Sequence, residues 1–403
     1  MEGLRDVEYL PEPSDRSIVS AVDPTVIGFQ DEWRAEIMGW APLSVEPIVR
    51  ARRRPFSLTG IVVFALLVSA SLLMWQNQWV VLELPAPTSE WAFEDTGIRA
   101  LQGDGLSGEG VRVCMVDTGI DTSHEAFAGT TIQFKDFVGT SLSPVDYGAI
   151  AHGTLMAGLM IAGSHQVGAA PNVTFAMAAA LKDNGEGENT GFDTDVADAI
   201  RWCHLDFKAD IISLSLGGTE RAGGAGEGSS ASATRQATDA GIYVVAAAGN
   251  DGLDDDGDVA SPGSVSLAIS VGAVTQEGSL WENSSVGSSQ DDDGLVRQFP
   301  HQKPEVVAPG QRIISTGEGN RWYSSSGTSD ATVFVAGALA LLLEANPDLR
   351  PVENGDSSCL ELVKRTLAES ASELQPTGHD QYRGYGMLDT VAWWEALATV
   401  SAC

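Results

Sequence analysis

Five short apolar runs constrain this chain most: Val111 to Val116, Val173 to Leu181, Asp210 to Leu216, Ile242 to Ala248 and Ala268 to Val274. Runs of this length with little polar alternation suit strands buried on both faces, the pattern of a parallel sheet. Between the second and third, Val196, Ala199, Ile200 and Cys203 fall at the i, i+3, i+4, i+7 spacing of one helix face. Strands alternating with helices from about Glu90 onward predict an α/β fold, a parallel β-sheet flanked by helices on both faces. In such sheets chemistry collects at the carboxyl ends of the strands, so functional residues are sought there.

Upstream the character changes. Met1 to about Arg50 is rich in Pro, Glu, Asp and Ser and has no sustained period, as in a mostly disordered tail. Arg50, Arg52, Arg53 and Arg54 then precede Leu58 to Met74, a run without charge. About 17 to 20 such residues cross a bilayer as a helix. Trp75 and Trp79 suit an interfacial belt, and the arginines place the near end in the cytoplasm. The expected organisation is a cytoplasmic tail over 1–55, one transmembrane signal anchor over 56–80, a spacer over 81–90 and an extracytoplasmic domain over 91–403. A cleaved signal peptide is the rival reading; its charged leader would be unusually long, and no small-x-small cleavage site follows.

Acidic residues number 55 against 23 basic, a net charge of −32. That balance argues against nucleic acid or an anionic lipid surface as the main partner and reads as a hydrated acidic surface. Four cysteines form no CxxC pair, against a zinc or thioredoxin-like site. Cys114 and Cys203 lie in apolar patterns and are expected as buried thiols. Cys359 and Cys403 are able to pair if their region is extracytoplasmic, which the sequence leaves open. Gly103-Asp104-Gly105-Leu106-Ser107-Gly108 matches GxGxxG but precedes a strand and opens no helix, so the dinucleotide reading fails its context test.

The chemistry centres on Ser329, in Ser325-Ser326-Gly327-Thr328-Ser329-Asp330-Ala331 ahead of an apolar helix over Thr332 to Ala345. Unpaired amides of a helix's first turn surround a hydroxyl placed there. Serine is a weak nucleophile and needs a base with an orienting acid. Asp117 follows the first strand in Val116-Asp117-Thr118-Gly119-Ile120-Asp121, and His152 stands in Ala151-His152-Gly153-Thr154 before the apolar stretch Leu155 to Ala162. Asn250 lies just past the fourth strand. Singly, each reads as a turn or cap residue. Together they give the order Asp, His, Ser, with an Asn before the serine.

With Ser213-Leu214-Ser215-Leu216-Gly217-Gly218, Ala247-Ala248-Gly249-Asn250 and Gly327-Thr328-Ser329 added, the sequence resembles the subtilisin-like serine endopeptidases over about Glu90 to Ala398. The resemblance implies protein or peptide substrates, Ser329 as nucleophile, His152 as base, Asp117 as its orienting acid, and Asn250 with the Ser329 amide as oxyanion donors. It places Ser215, Leu216, Gly217, Ala248 and Gly249 along the substrate and Ala260 and Ser261 near the base of its first pocket. Those residues are small and uncharged, so apolar or medium side chains are expected there. The chemistry requires no cofactor.

The chain departs from the family at several positions. Asp330-Ala331-Thr332-Val333 replaces the usual Met-Ala-x-Pro after the serine. An acid suits the helix dipole but sets negative charge beside the forming oxyanion. That keeps a second reading, a catalytically weak or inactive peptide-binding module. Leu155 replaces a usual histidine and is expected to pack. Ala126 and the short Gly163 to Gly168 connection stand where relatives bind calcium, so that site is expected to be absent; no metal ligand is assigned and structural calcium stays open. Asp251, Asp254, Asp255, Asp256 and Asp258 offer hard oxygen ligands yet read as a solvated acidic loop. The short stretch after the membrane segment leaves no room for a separate prodomain.

Overall fold

The computed structural model describes residues 58–76, 87–218, 228–252, 257–291, 294–352, 355–374, 377–400 and 403. The expected disordered tail, the arginine cluster, Trp79, most of the spacer and Asp254 to Asp256 lie outside the described residues. Contacts divide the chain into two units, Met1–Glu83 and Leu84–Cys403. In the first, the apolar run forms helix α1 (Leu58–Gln76), with Leu58, Phe64, Leu66 and Leu72 all exposed.

The second unit begins with α2 (Glu90–Asp95) and α3 (Ile98–Gly103), then β1 (Arg112–Asp117), β2 (Ile132–Asp136), α4 (His152–Ile161), β3 (Thr174–Ala179), β4 (Lys182–Asp183) and β5 (Asn189–Thr190). It continues through α5 (Asp193–Leu205), β6 (Ile211–Leu214), α6 (Ser229–Asp239), β7 (Tyr243–Ala247), β8 (Ile269–Val274), β9 (Val306–Pro309), β10 (Ile313–Gly317) and β11 (Arg321–Ser325). Helices α7 (Thr328–Ala345), α8 (Ser358–Ser370) and α9 (Thr390–Thr399) complete it.

Seven strands form one parallel sheet in the order β2-β3-β1-β6-β7-β8-β9. The five apolar runs supply β1, β3, β6, β7 and β8. The other two left weaker signals: β2 alternates half-buried and exposed residues as an edge strand, and β9 has only four residues, the last a proline. Register matters more for function. Asp117 pairs with Ala179, Val116 with Leu214 and Leu214 with Ala246. Ser215, just past β6, and Ala248, just past β7, therefore emerge at the same edge of the sheet as Asp117.

Alternate residues of a strand face opposite sides. Val113 and Met115 point to the core containing Leu155, Met156 and Val333 of α4 and α7, while Cys114 and Val116 point to the core under α5 and α6. The same alternation corrects the expectation of buried thiols. Cys203 lies on the buried face of α5, where its spacing put it, and that face meets the side of β1 that carries Cys114. The two form a disulfide with Cα atoms 5.7 Å apart. Apolarity signalled burial correctly but not which buried faces meet. Cys359 and Cys403 are also bonded, with Cα atoms 5.1 Å apart.

Helix α7 runs through the larger core, with every residue from Thr328 to Leu343 buried. Among the described residues it is the one helix long and apolar enough to cross a membrane, and 89% of it is buried inside the domain; Leu58–Met74 is a shorter apolar helix. Just before β9, Glu305 forms ion pairs with two buried lysines, Lys303 at 3.0 Å and Lys364 of α8 at 2.6 Å. Lys303 also donates to the carbonyls of Val265 and Ala268, and Lys364 to that of Ala268. Burial pushes both lysine pKa values down, against the pull of Glu305. One carboxylate thus joins the start of β9, the turn before β8 and α8. Glu305→Gln leaves two buried cations without their anion, and urea unfolding of this variant is expected to show a loss of about 3–5 kcal/mol.

Candidate active site

Asp117 ends β1 with its side chain fully buried. Its Oδ1 accepts a hydrogen bond from His152 Nδ1 at 2.7 Å and another from the Thr118 amide at 2.7 Å. His152 opens α4 after two residues in the left-handed region, Ile150 at φ 51° and Ala151 at φ 57°. Left-handed backbone is costly for a β-branched residue and persists only where surroundings enforce it. Here they do. Asp146 accepts from the Thr118 hydroxyl, the Gly148 amide, and both the amide and the hydroxyl of Thr154. Thr118 Oγ1 in turn accepts the Gly153 amide at 2.8 Å, and Thr154 Oγ1 accepts the Asp121 amide at 2.8 Å. This knot fastens the segment after β1 to the first turn of α4, on either side of the Asp117–His152 bond. The sequence reading assigned no role to Asp146, Thr118 or Thr154; the available signal was a threonine one residue after Asp117 and another two residues after His152.

The His152 side chain keeps 20% of its surface exposed. Burial, the largest single influence, pulls its pKa down, but the charge and hydrogen bond of Asp117, followed by the charges of Asp330 and Asp146, outweigh it. The result is a pKa raised to about 9.

Ser329 lies in the first turn of α7 and is 7% exposed. Its hydroxyl donates to the Ser215 carbonyl at the end of β6, 3.1 Å away, and Ser215 Oγ donates back to the Ser329 carbonyl at 3.3 Å. The helix predicted to begin at Thr332 starts four residues earlier, so the Ser329 N–H is one of the first-turn amides that helix geometry leaves unpaired. Asn250 stands exposed past β7, and its Oδ1 accepts both the amide and the hydroxyl of Thr328 at 2.9 Å. Thr328 is a further residue the sequence reading did not single out. By occupying Oδ1 it turns the amide nitrogen of Asn250 toward Gly327. A Cβ added to Gly327 would lie 3.5 Å from Asn250 Nδ2 and 3.5 Å from the Ser329 nitrogen. Asn250 Nδ2 and the Ser329 nitrogen therefore both stand beside Gly327, where there is room for a methyl group.

The remaining sequence-selected residues gather around Ala260. A Cβ on Gly217 would come within 2.6 Å of the Ala260 Cβ, and one on Gly249 within 3.1 Å. Gly218 and Ser261 exchange backbone hydrogen bonds at 3.0 Å, and the Ala260 amide donates to the Ala248 carbonyl at 2.7 Å. Ala248 and Gly249 form a buried wall, whereas Leu216 is half-buried and Gly217 exposed. Leu155 is fully buried, as a packing residue is expected to be. Ala126 is buried in a single turn of helix, and its carbonyl accepts the Gly163 amide. Asp258 is engaged by Arg297 at 2.7 and 2.8 Å. Among the described residues, no group of three or more acidic, His or Cys side chains is placed to hold a metal ion.

The family model for peptidase S8, described as the subtilase family, matches residues 108–386. The chain belongs to the subtilase family. It is 33% identical over 278 residues to the serine protease AprX of Bacillus subtilis (strain 168), covering 62% of this subtilase and 61% of that protein. To the thermophilic serine proteinase of Bacillus sp. (strain AK1) it is 33% identical over 285 residues, covering 70% and 61%. To subtilisin NAT of Bacillus subtilis subsp. natto it is 31% identical over 299 residues, covering 73% and 68%. The subtilase thus spans 61% of the length of the first two relatives. Among solved structures, the prenylagaramide maturation protease PagA shares the fold with a TM-score of 0.59 at 24% identity, over 75% of this chain and 98% of that one.

The Asp117–His152 pair has a direct spectroscopic signature. The ring protons of His152 are expected to titrate by NMR with a midpoint near 9, so the imidazolium persists at neutral pH. Asp117 raises that midpoint, so Asp117→Asn lowers it; an unchanged midpoint would show that the carboxylate does not hold the ring's proton.

Proposed function

We propose that this subtilase is a serine endopeptidase in which Ser329, His152 and Asp117 act as a triad. The observation that carries the reading is the pair of nitrogens at Gly327 in the same turn as the Ser329 hydroxyl, in a domain that also holds an aspartate-bound histidine. Ser329 Oγ attacks the peptide carbonyl while His152 Nε2 takes its proton; Asp117 keeps Nδ1 protonated and stabilises the imidazolium. The carbonyl oxygen, now negative, is received by Asn250 Nδ2 and the Ser329 N–H. His152 then passes its proton to the leaving amine, and water, activated by the same imidazole, releases the acyl group. In the resting arrangement the Ser329 hydroxyl is bonded to Ser215; rotation about χ1 frees it for His152, and catalytic hydrogen bonds commonly tighten only when substrate is bound.

Peptide substrates would lie along Leu216–Gly217 on one side and Ala248–Gly249 on the other. Small, uncharged walls at Ala260 and Ser261 suit an apolar or medium side chain. Nucleic acid is not a partner for so acidic a chain. Helix α1 serves as a membrane anchor with the arginines inside and the peptidase domain outside. Its exposed apolar sides support that placement, and so do two disulfides, which persist in oxidising compartments.

A fluorophosphonate probe should label the wild type and not Ser329→Ala; folded wild type that resists labelling favours the peptide-binding module instead. Gly327→Ala meets nothing closer than 3.5 Å, so it should fold normally. Its methyl fills the space between the donors, and kcat is expected to fall roughly a hundredfold or more, as when a donor is removed. For topology, protease added outside intact cells should digest the C-terminal domain and spare the first fifty residues or so. The reverse pattern inverts the orientation.

A further inference from the structure

Asp330 follows Ser329 in the first turn of α7 and is only 1% exposed. Its Oδ1 accepts a hydrogen bond from the Ser325 hydroxyl of β11 at 2.5 Å. Its Oδ2 lies 3.7 Å from the position a Gly327 Cβ would take, the position flanked by Asn250 Nδ2 and the Ser329 amide. A carboxyl group therefore borders the space assigned above to the oxyanion. The charged groups that reach it are His152 from α4 and Asp117 from β1; Ser325 and Asn250, on its other sides, are neutral. Burial pushes the Asp330 pKa up to about 7, with the Ser325 hydrogen bond and His152 pulling the other way and Asp117 adding to the rise. Seen from His152, Asp330 is the next source of negative charge after Asp117 and ahead of Asp146.

Resting on the peptidase reading, we propose that Asp330 is an electrostatic brake on acylation of Ser329: its carboxylate holds His152 as the imidazolium and opposes negative charge gathering between Asn250 and Ser329. A nearby anion stabilises a cation, and it destabilises a second anion in a space shielded from water. At acid pH the carboxyl is neutral, but His152 is protonated and no base exists. Between about 7 and about 9 the site holds a carboxylate and an imidazolium, still without a base. The base forms only as His152 titrates, so turnover is suppressed around neutrality and rises at alkaline pH.

Asp330→Asn tests this with little change of shape, since its carbonyl oxygen is able to accept the Ser325 hydrogen bond. The acid limb of the kcat/KM profile for a peptide substrate is expected to move about one pH unit or more toward acid, raising kcat/KM at pH 7.5 about tenfold. A purely structural role would lower activity and leave the limb in place. In a Ser329→Ala background, the NMR midpoint of His152 should fall by a similar amount on adding Asp330→Asn. An unchanged limb or an unchanged midpoint in folded protein overturns the brake. If wild type neither turns over nor labels with fluorophosphonate, the peptidase reading fails, and with it a brake on acylation. The His152 midpoint then reports only whether Asp330 holds the imidazolium. If Asp330→Asn unfolds, Asp330→Ser provides the same readings.

Discussion

A helix without an exposed face must be enclosed on all sides, and the domain is arranged to enclose α7. Sheet strands β6 to β9 cover it along one side and α4 packs against another. Because the strands are parallel, their carboxyl ends share one edge, and the start of α7 reaches that edge. Burial of an apolar helix thus carries a hydroxyl and a free amide to the place where Asp117 and the Ser215 segment emerge. Packing sets the position of Ser329 before any polar contact does.

What the packing leaves loose, threonine hydroxyls fix. Thr118 and Thr154 hand hydrogen bonds between Asp146 and the backbone around His152, and Thr328 takes up the oxygen of Asn250 so that its nitrogen is presented. Each hydroxyl both donates and accepts, which allows one short side chain to fasten two segments distant in sequence. The Asp117–His152 bond is therefore held from behind, and preorganisation of this kind makes fixed dipoles effective at a reacting centre.

Sheet and site differ in how far the sequence revealed them. The buried strands were legible because a strand covered on both faces has to be apolar throughout, whereas β2 and β9, one alternating and one short, carried too little signal. Asp117, His152, Asn250 and Ser329 stood out as candidates from their flanking motifs, and the fold joins Asp117 to His152 and Asn250 to the residue before Ser329. Their support was not legible: Asp146 lies six residues before His152, and nothing in local pattern says which carboxylate will find which hydroxyl. The Cys114–Cys203 bond failed to show for the same reason, since it depends on the meeting of two faces that are each readable alone. Asp330 stood out as a departure from the family, but its burial against Ser325 and its reach to His152 required three dimensions.

The buried helix also bears on how an exported chain would be sorted. A translocation channel samples segments one at a time and releases those apolar enough into the bilayer. A chain held there by α1 would later offer α7, which is itself long and apolar enough to remain. Two acids lie at its ends, Asp330 and Glu344, and an acidic side chain raises the cost of membrane insertion. The charge that borders Ser329 in the folded domain would thus also help to carry this segment through, before there is any fold to bury it.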